Sequence, residues 1–523
     1  MKMTSSEPRD DFERDEHEDA VERAALEARQ EALLAARMGE LEPAGRTVKA
    51  KEPAVVREER RGRELGARFG VGVLALAAAS GLVVWSLTPF IPARSVTIPS
   101  TQVAPVPGTQ ERVCPGPLAA LGQQGGSTAA TLVGDSKLAG AGDTGSAEAI
   151  GIHAANGSGT GALKAPVLYT APGMQGDVPT RLSAAQTTTV SAPLAGFAAA
   201  SCQQPSADQW VLADGSTGTT SSVLSVTNSS ERAAKVTLTA FSENGQIAMN
   251  SNAEFEIPAR TQRLVSLAGL APEQKWLAVH VQASSGLISA SIHETVSERT
   301  NGQGADIVGA TEAPTLGVVI PGVPVTAQPS RQDDGGGAQN TLVRLVSPQG
   351  DANQAIVRIL DHEGKEVHHQ TMALQMGVVA EMQLSLVTPG VYTVVVDAEA
   401  PVLAAARAGV VAEKSRDFAW YRAAPVLSGD QLVAVPEGPG ARISLYNPKG
   451  EAQQITVARE GGEAETVTIA PGATHRVDAS AGNYHLGALH GIAATVSYSG
   501  AGQLAGFAVT STNPLAEPIE VVR

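Results

Sequence analysis

Apolar and polar residues alternate along most of the chain beyond residue 110. VLSVTN (223–228), LVRLVSP (342–348) and ISLYNP (443–448) share one pattern: apolar, any residue, apolar, any residue, then Asn or Ser at Asn228, Ser347 and Asn447. A period of two predicts half-buried β-strands. Each stretch leads into a second alternating run: KVTLTAF (235–241), QAIVRIL (354–360) and QITVARE (454–460). Each second run ends in an acidic-Gly turn, SENGQ, DHEGK or EGGE. Alternating runs joined by such turns predict β-hairpins. A P-x-x-T-x-R motif comes next in two of the copies, at Pro258–Arg263 and Pro471–Arg476, and is missing from the middle one.

The pentapeptide LAGFA occurs twice, at 194–198 and 504–508. We read it as a closing strand whose small residues admit another backbone and whose Phe197 and Phe507 pack on one face. The copy at 194–198 then closes an earlier unit. Repeats roughly a hundred residues apart, built of short strands, predict a mainly β fold: a tandem array of about four immunoglobulin-like β-sandwich units. Their expected bounds are 112–206, 207–325, 336–425 and 426–516. The first carries a Gly/Ser-rich insertion (122–161) expected as a loose loop or ragged strands. Composition shifts at 311–340 and 412–430 are expected to be linkers.

The alternation fails in one place. Residues 69–87 (FGVGVLALAAASGLVVWSL) run for 19 positions without a charge, long enough as a helix to span about 30 Å of hydrocarbon. Arg57, Arg60, Arg61, Arg63 and Arg68 precede it, and Arg94 alone stands close behind it. The positive-inside rule therefore keeps the N-terminus cytoplasmic and exports the chain beyond about residue 90. The expected layout is an acidic, partly helical cytoplasmic tail (1–60), a transmembrane anchor (61–88) and a Pro-rich stalk (89–111). The tail's Ala/Glu/Arg-rich stretch 18–38 has helical character, and the basic cluster at 57–68 suits anionic lipid heads. The expected location is the cell membrane, single-pass, with the C-terminal domains extracytoplasmic.

Composition narrows the chemistry. Aromatics are 3% of the chain and the net charge is −15, which sets phosphate backbones aside as partners. The two cysteines, Cys114 and Cys202, fit no zinc spacing. They fall on the opening and closing strands of the first unit. In an exported domain they pair, which contributes up to about 4.5 kcal/mol on the chain-entropy estimate; the alternative is two buried thiols.

RVCPGP, SCQQPSADQWVLADGSTG (201–218), VLSVTNSS and IPARTQRLVSLAGLAP together resemble the domain-of-unknown-function family 5719 of actinobacterial secreted or anchored proteins. Cys202, Pro205, Trp210 and Gly215 match its pattern; Ser229 stands where Pro is usual, and Asp214 where Gly is common. The resemblance spans about 110–515. It implies an envelope location and carries no activity, cofactor or site residues.

No G-x-S-x-G elbow or S-x-x-K pair is present, and NGSGTG opens no phosphate-binding helix. His293 and Glu294 are strand neighbours facing opposite sides, so they cannot share a metal. Asp361, His362, His368 and His369 flank a turn, and read as a polar turn or a weak metal contact. His485 and His490 are expected half-exposed. RQDDGGG (331–337) reads as a linker or a calcium contact. Trp210, beside a polar Gly-rich turn, is either a junction plug or a carbohydrate-stacking platform. The expectation is a non-enzymatic envelope scaffold or interaction surface without cofactor. The alternative is a glycan-binding or envelope-polysaccharide assembly accessory. Its partners would be the membrane, through one helix, and envelope proteins or cell-wall glycan.

Overall fold

The computed structural model describes residues 100–103, 106–121, 130–142, 147–154, 165–249, 251–298, 301–311, 313–326, 340–350, 353–412, 415–512 and 519–522. The expected tail helix, basic cluster, anchor at 69–87 and RQDDGGG segment lie outside them. Among the described residues no helix is long and apolar enough to cross a membrane. Residues Ile98–Arg523 belong to one compact unit. It is built of antiparallel sheets, with helix among the described residues limited to Leu267–Leu270 and a 3-10 turn at Ser251–Ala253.

The alternating stretches form the expected hairpins. Thr220–Asn228 lies between Thr261–Ser266 and Ile288–Glu298, and Asn301–Gly309 completes that sheet. The facing sheet orders Asp208–Asp214, Trp276–Ser285 and Ala234–Ser242. Val226 and Ile292 from one sheet and Val236 and Val279 from the other share one core. In the next two repeats a single long strand serves both faces. Gly390–Val411 pairs first with Thr315–Val325 and Asn353–Leu360, then with Leu342–Val346 and Arg416–Arg422. Gly482–Gly500 repeats the plan with Val426–Val435 and Gln453–Arg459, then Arg442–Tyr446 and Gln503–Ala508.

The recurring Asn has a structural reason. Asn228 Nδ2 donates to the carbonyls of Arg232, Ile257 and Pro258, and its Oδ1 accepts from Ser230 N. Asn447 repeats this with Glu451, Ile469, Ala470 and Lys449. Ser347 makes a shorter version, donating to the carbonyls of Gln349 and Pro401. One amide thus ties a strand end to its turn and to the next strand.

Both expected linkers contain strands among their described residues. Thr315–Val325 sits at a sheet edge with a register shift between Ile320 and Val323, where Pro321 removes no ladder bond. Arg416–Arg422, within the expected 412–430 linker, lies among the most buried strands of the fold. The Gly/Ser-rich insertion contributes strands at Ala130–Val133, Asp135–Gly142 and Glu148–Gly151. The expected stalk is partly strand as well: Ser100–Val103 pairs with Ile519–Val522.

Gly196–Ser201, Asn301–Gly309, Arg416–Arg422 and Gln503–Ala508, the first to fourth inner strands, come together. The first lies beside the second and fourth, and the third lies beside the same two, closing a ring. Each is the second arm of a hairpin whose first arm belongs to its own repeat. LAGFA is therefore the contact sequence of two adjacent inner strands. A Cβ on Gly196 would lie 2.4 Å from Ala305 N, and one on Gly506 2.5 Å from Tyr421 Cε1, so glycine is required at both. Phe197 and Phe507 both pack against Tyr498, with ring centroids 5.7 and 6.5 Å away.

Candidate functional site

Each inner strand has ladder partners within its own repeat, so the edges turned toward the axis need other hydrogen-bond partners. Buried side chains supply them. Asp417, on the third inner strand, is 1% exposed. Its Oδ2 accepts from Phe197 N (3.1 Å) and Leu504 N (3.2 Å), and its Oδ1 from Ala305 N (3.3 Å). One carboxylate thus joins all four repeats. Burial pushes its pKa well above the ordinary carboxylate value, against the downward pull of these backbone bonds. Asp306, on the second inner strand, accepts from Trp420 N at 2.7 Å, and burial raises its pKa to about 7.

A buried ionic seam joins the second and third repeats. Arg344 Nη2 lies 2.7 Å from both Asp214 Oδ1 and Glu381 Oε2, with the guanidinium over the Trp420 ring. Arg407 reaches Asp214 at 3.4 Å and Glu294 at 3.9 Å. Burial alone would raise the Asp214 pKa; the two arginines override it and hold the pKa below the ordinary value. Glu294 goes the other way, to about 8, through burial and then the Asp214 charge. Its Oε2 accepts from Trp420 Nε1 at 3.1 Å.

All four inner strands end at the same side, and the residues at or just beyond those ends line a pocket of about 270 Å³. Gln203 and Gln204 come after the first strand, Ala310 and Thr311 after the second, Arg422 ends the third, and Thr510 and Ser511 come after the fourth. Ser206, Asp208 and Gln209 complete the wall. Arg422 Nη2 donates to Ser201 Oγ and the Ala508 carbonyl, bridging first and fourth strands. Gln203 Nε2 donates to the Ala310 carbonyl, while its buried Oε1 has no hydrogen-bond partner among the described residues. Arg112, 2% exposed, clasps the rim from below through Gln204 Oε1 and the Ser511 carbonyl. Burial lowers its pKa to about 10.

Cys114 and Cys202 are joined in a disulfide. Its neighbours Val113 and Gln203 exchange both backbone hydrogen bonds, at 2.8 and 3.0 Å, so the bond anchors one pocket wall. Trp210 is 4% exposed, with His280 stacked on it at 3.9 Å. It lies in a core and backs the pocket by exchanging backbone bonds with Thr311; its ring is closed to a sugar. His280 Nε2 meets Asp208 Oδ1 at 2.9 Å.

His293 and Glu294 do face opposite ways, and both are fully buried. His293 Nδ1 accepts from Ala119 N, so the Nε2 proton faces Ser291 Oγ. Burial drops its pKa to about 3, which keeps the ring neutral. His362, His368 and His369 do not converge: His368 pairs with Ile359, and His369 meets Glu366 at the surface. His485 and His490 are exposed. Among the described residues no three metal-ligating side chains cluster. Sequence reading misses Asp306, Asp417, Arg344, Gln203 and Arg422. An acid inside an apolar run, as in GADIVGA or DFAWY, is the available signal, since such an acid needs buried donors.

Fold and site define a mainly β protein of sandwich-like repeats closed around a polar axial pocket. The chain belongs to the family of unknown function DUF5719, which it matches over residues 157–480. No curated protein matches it. Among solved structures it is similar to chicken CNTN1 FN1–FN3 domains, at 11% identity over 61% of this chain and 98% of that one, TM-score 0.10. A tetra-tandem repeat in the extending region of a large adhesion protein matches at 12% identity over 72% and 90%, TM-score 0.10. An anti-sigma factor domain-containing protein from Clostridium clariflavum matches at 8% over 79% and 99%, TM-score 0.11.

Proposed function

We propose that this chain is a non-enzymatic, single-pass cell-envelope protein whose exported array of about four immunoglobulin-like units is a rigid interaction scaffold. The observation that carries the reading is the closed ring of inner strands. It fixes the repeats against one another and leaves the outward hairpins as fixed contact surfaces. The charge-free stretch 69–87 with its arginine flank supports the anchor, and the Cys114–Cys202 bond suits the oxidising side of a membrane. The test is a membrane-impermeant protease applied to intact cells. The reading expects the β array to be attacked and the tail before residue 60 to be protected. Protection of the array, or its recovery in the cytosol, would end the reading.

The second reading, a glycan-binding or envelope-polysaccharide assembly accessory, is favoured by the polar pocket on the axis. The test is cosedimentation with wall polysaccharide from the producing cells.

A further inference from the structure

We propose that the Cys114–Cys202 bond is a mechanical shunt: tension entering the array from the N-terminal side passes straight from residue 114 to residue 202 and leaves the first repeat unloaded. This rests on the scaffold reading, in which the chain is held from its N-terminal side.

The bond joins residues 88 positions apart whose Cα atoms lie 4.1 Å from each other. A chain under tension follows its shortest covalent route. Fully extended, the 88 positions would reach roughly 300 Å. The loop between the cysteines therefore stays slack however hard the chain is pulled from outside it, and its unfolding adds nothing to the end-to-end length.

The bracketed repeat is the one that tension would open most easily. Among the described residues its sheets hold two or three strands, against seven in each of the third and fourth repeats. Its apolar groups are divided among small clusters, with Val113, Ile152 and Leu168 in one and Cys114, Val167, Ala184 and Cys202 in another. The later repeats each centre on one large core. Small cores bury little apolar area and open at low cost. Placed in series between an N-terminal hold and the rest of the array, such a repeat would yield first.

The bracket also encloses a member of the ring. Gly196–Ser201, the first inner strand, lies inside it and gives Phe197 N to Asp417. Unravelling the first repeat would withdraw that strand, so a shunt around the repeat keeps the ring closed under load. The groups beside the bond carry load onward. Val113 and Gln203 exchange backbone hydrogen bonds, and Arg112 Nη2 donates to the Ser511 carbonyl at 2.9 Å. The entry strand is thereby fastened to the pocket rim, where all four inner strands end.

The test is single-molecule force spectroscopy on the whole chain in detergent, pulled through handles near its two ends. Cys114→Ser should reach a final length roughly 300 Å greater than wild type. The added length should appear as one extra event, at the lowest force in the trace. Wild type pulled between a handle at Glu148, an exposed position inside the bracket, and the C-terminal handle loads the first repeat with the bond intact. Its first rupture should come at a lower force than in wild type pulled from both ends, a comparison that does not depend on the variant folding. Equal first-rupture forces at the two handle positions, or an extra event in Cys114→Ser that comes at the highest force, would overturn the proposal. Those outcomes would leave the anchored reading to the protease experiment, and an array recovered in the cytosol would end that reading without altering the force traces.

Discussion

The outer hairpins and the inner strands are both β structure, yet they obey different rules. Ala464–Ile469 and Ala234–Ser242 alternate between exposed or half-buried and buried positions over much of their length. Gly196–Ser201, Arg416–Arg422 and Gln503–Ala508 are buried almost throughout. An outer strand has one dry face, and its side chains report that by alternating. An inner strand is dry on both sides. It must be narrow, hence Gly196 and Gly506, and the N–H groups it turns to the axis need acceptors that no neighbouring ladder provides. Asp417 and Asp306 fill that need. The same residue type thus closes an exposed turn at Asp361 and joins four repeats at Asp417.

The largest expected effect is at that contrast. Asp417→Ala strands three buried donors and should destabilise the protein by about 5 kcal/mol, while Asp361→Ala should cost about 1 kcal/mol. Denaturant unfolding of both variants checks the gap. Next comes charge. Arg344→Met leaves Asp214 to Arg407 alone and strips Glu381 of its ion pair, and should cost about 3–5 kcal/mol. Arg442→Met removes an exposed pair with Asp478 at 2.7 Å and should cost about 0–1 kcal/mol. Equal losses would show that the seam is not dry. Third is space. Gly196→Ala should cost about 1–3 kcal/mol from the close approach of Ala305. Gly218→Ala, with nothing within 4 Å, should stay within about 0.5 kcal/mol.

A fourth contrast is in pH. Folding raises the pKa of Glu294 from 4.5 to about 8 and that of Asp306 from 3.8 to about 7. In that window the unfolded chain has released protons that the folded one retains. Their contribution is therefore fully present below about pH 4 and is lost as pH rises toward 8. Glu294→Gln should flatten the upper part of that decline in a series of melts, and an unchanged slope would assign it elsewhere.

The same contrast decides how much is legible in the sequence. The hairpins, the Asn228 and Asn447 turns and the pairing of Cys114 with Cys202 are readable, because alternation, turn residues and one cysteine at each end of a unit leave local marks. The first and fourth inner strands show through their shared LAGFA, though only as closing strands. The second and third share no such word, and Arg416–Arg422 reads as linker because its charges and aromatics break the alternation. Asp417 and Arg422 among them are the ring's own polar contacts. The pocket is invisible in the sequence because its walls come from four strand ends about a hundred residues apart, each an ordinary polar residue after a strand. Trp210 stands out as a lone aromatic, and its place is behind the wall.

The central claim is that the inner strands make the repeats one cooperative body. Native-state hydrogen exchange by mass spectrometry tests it directly. Peptides carrying the amides of Phe197, Ala305 and Leu504, which lie in three repeats and share Asp417, should exchange together at the rate of global unfolding, and Asp417→Asn should accelerate all three together. Exchange at three separate rates, each set by its own repeat, would contradict it.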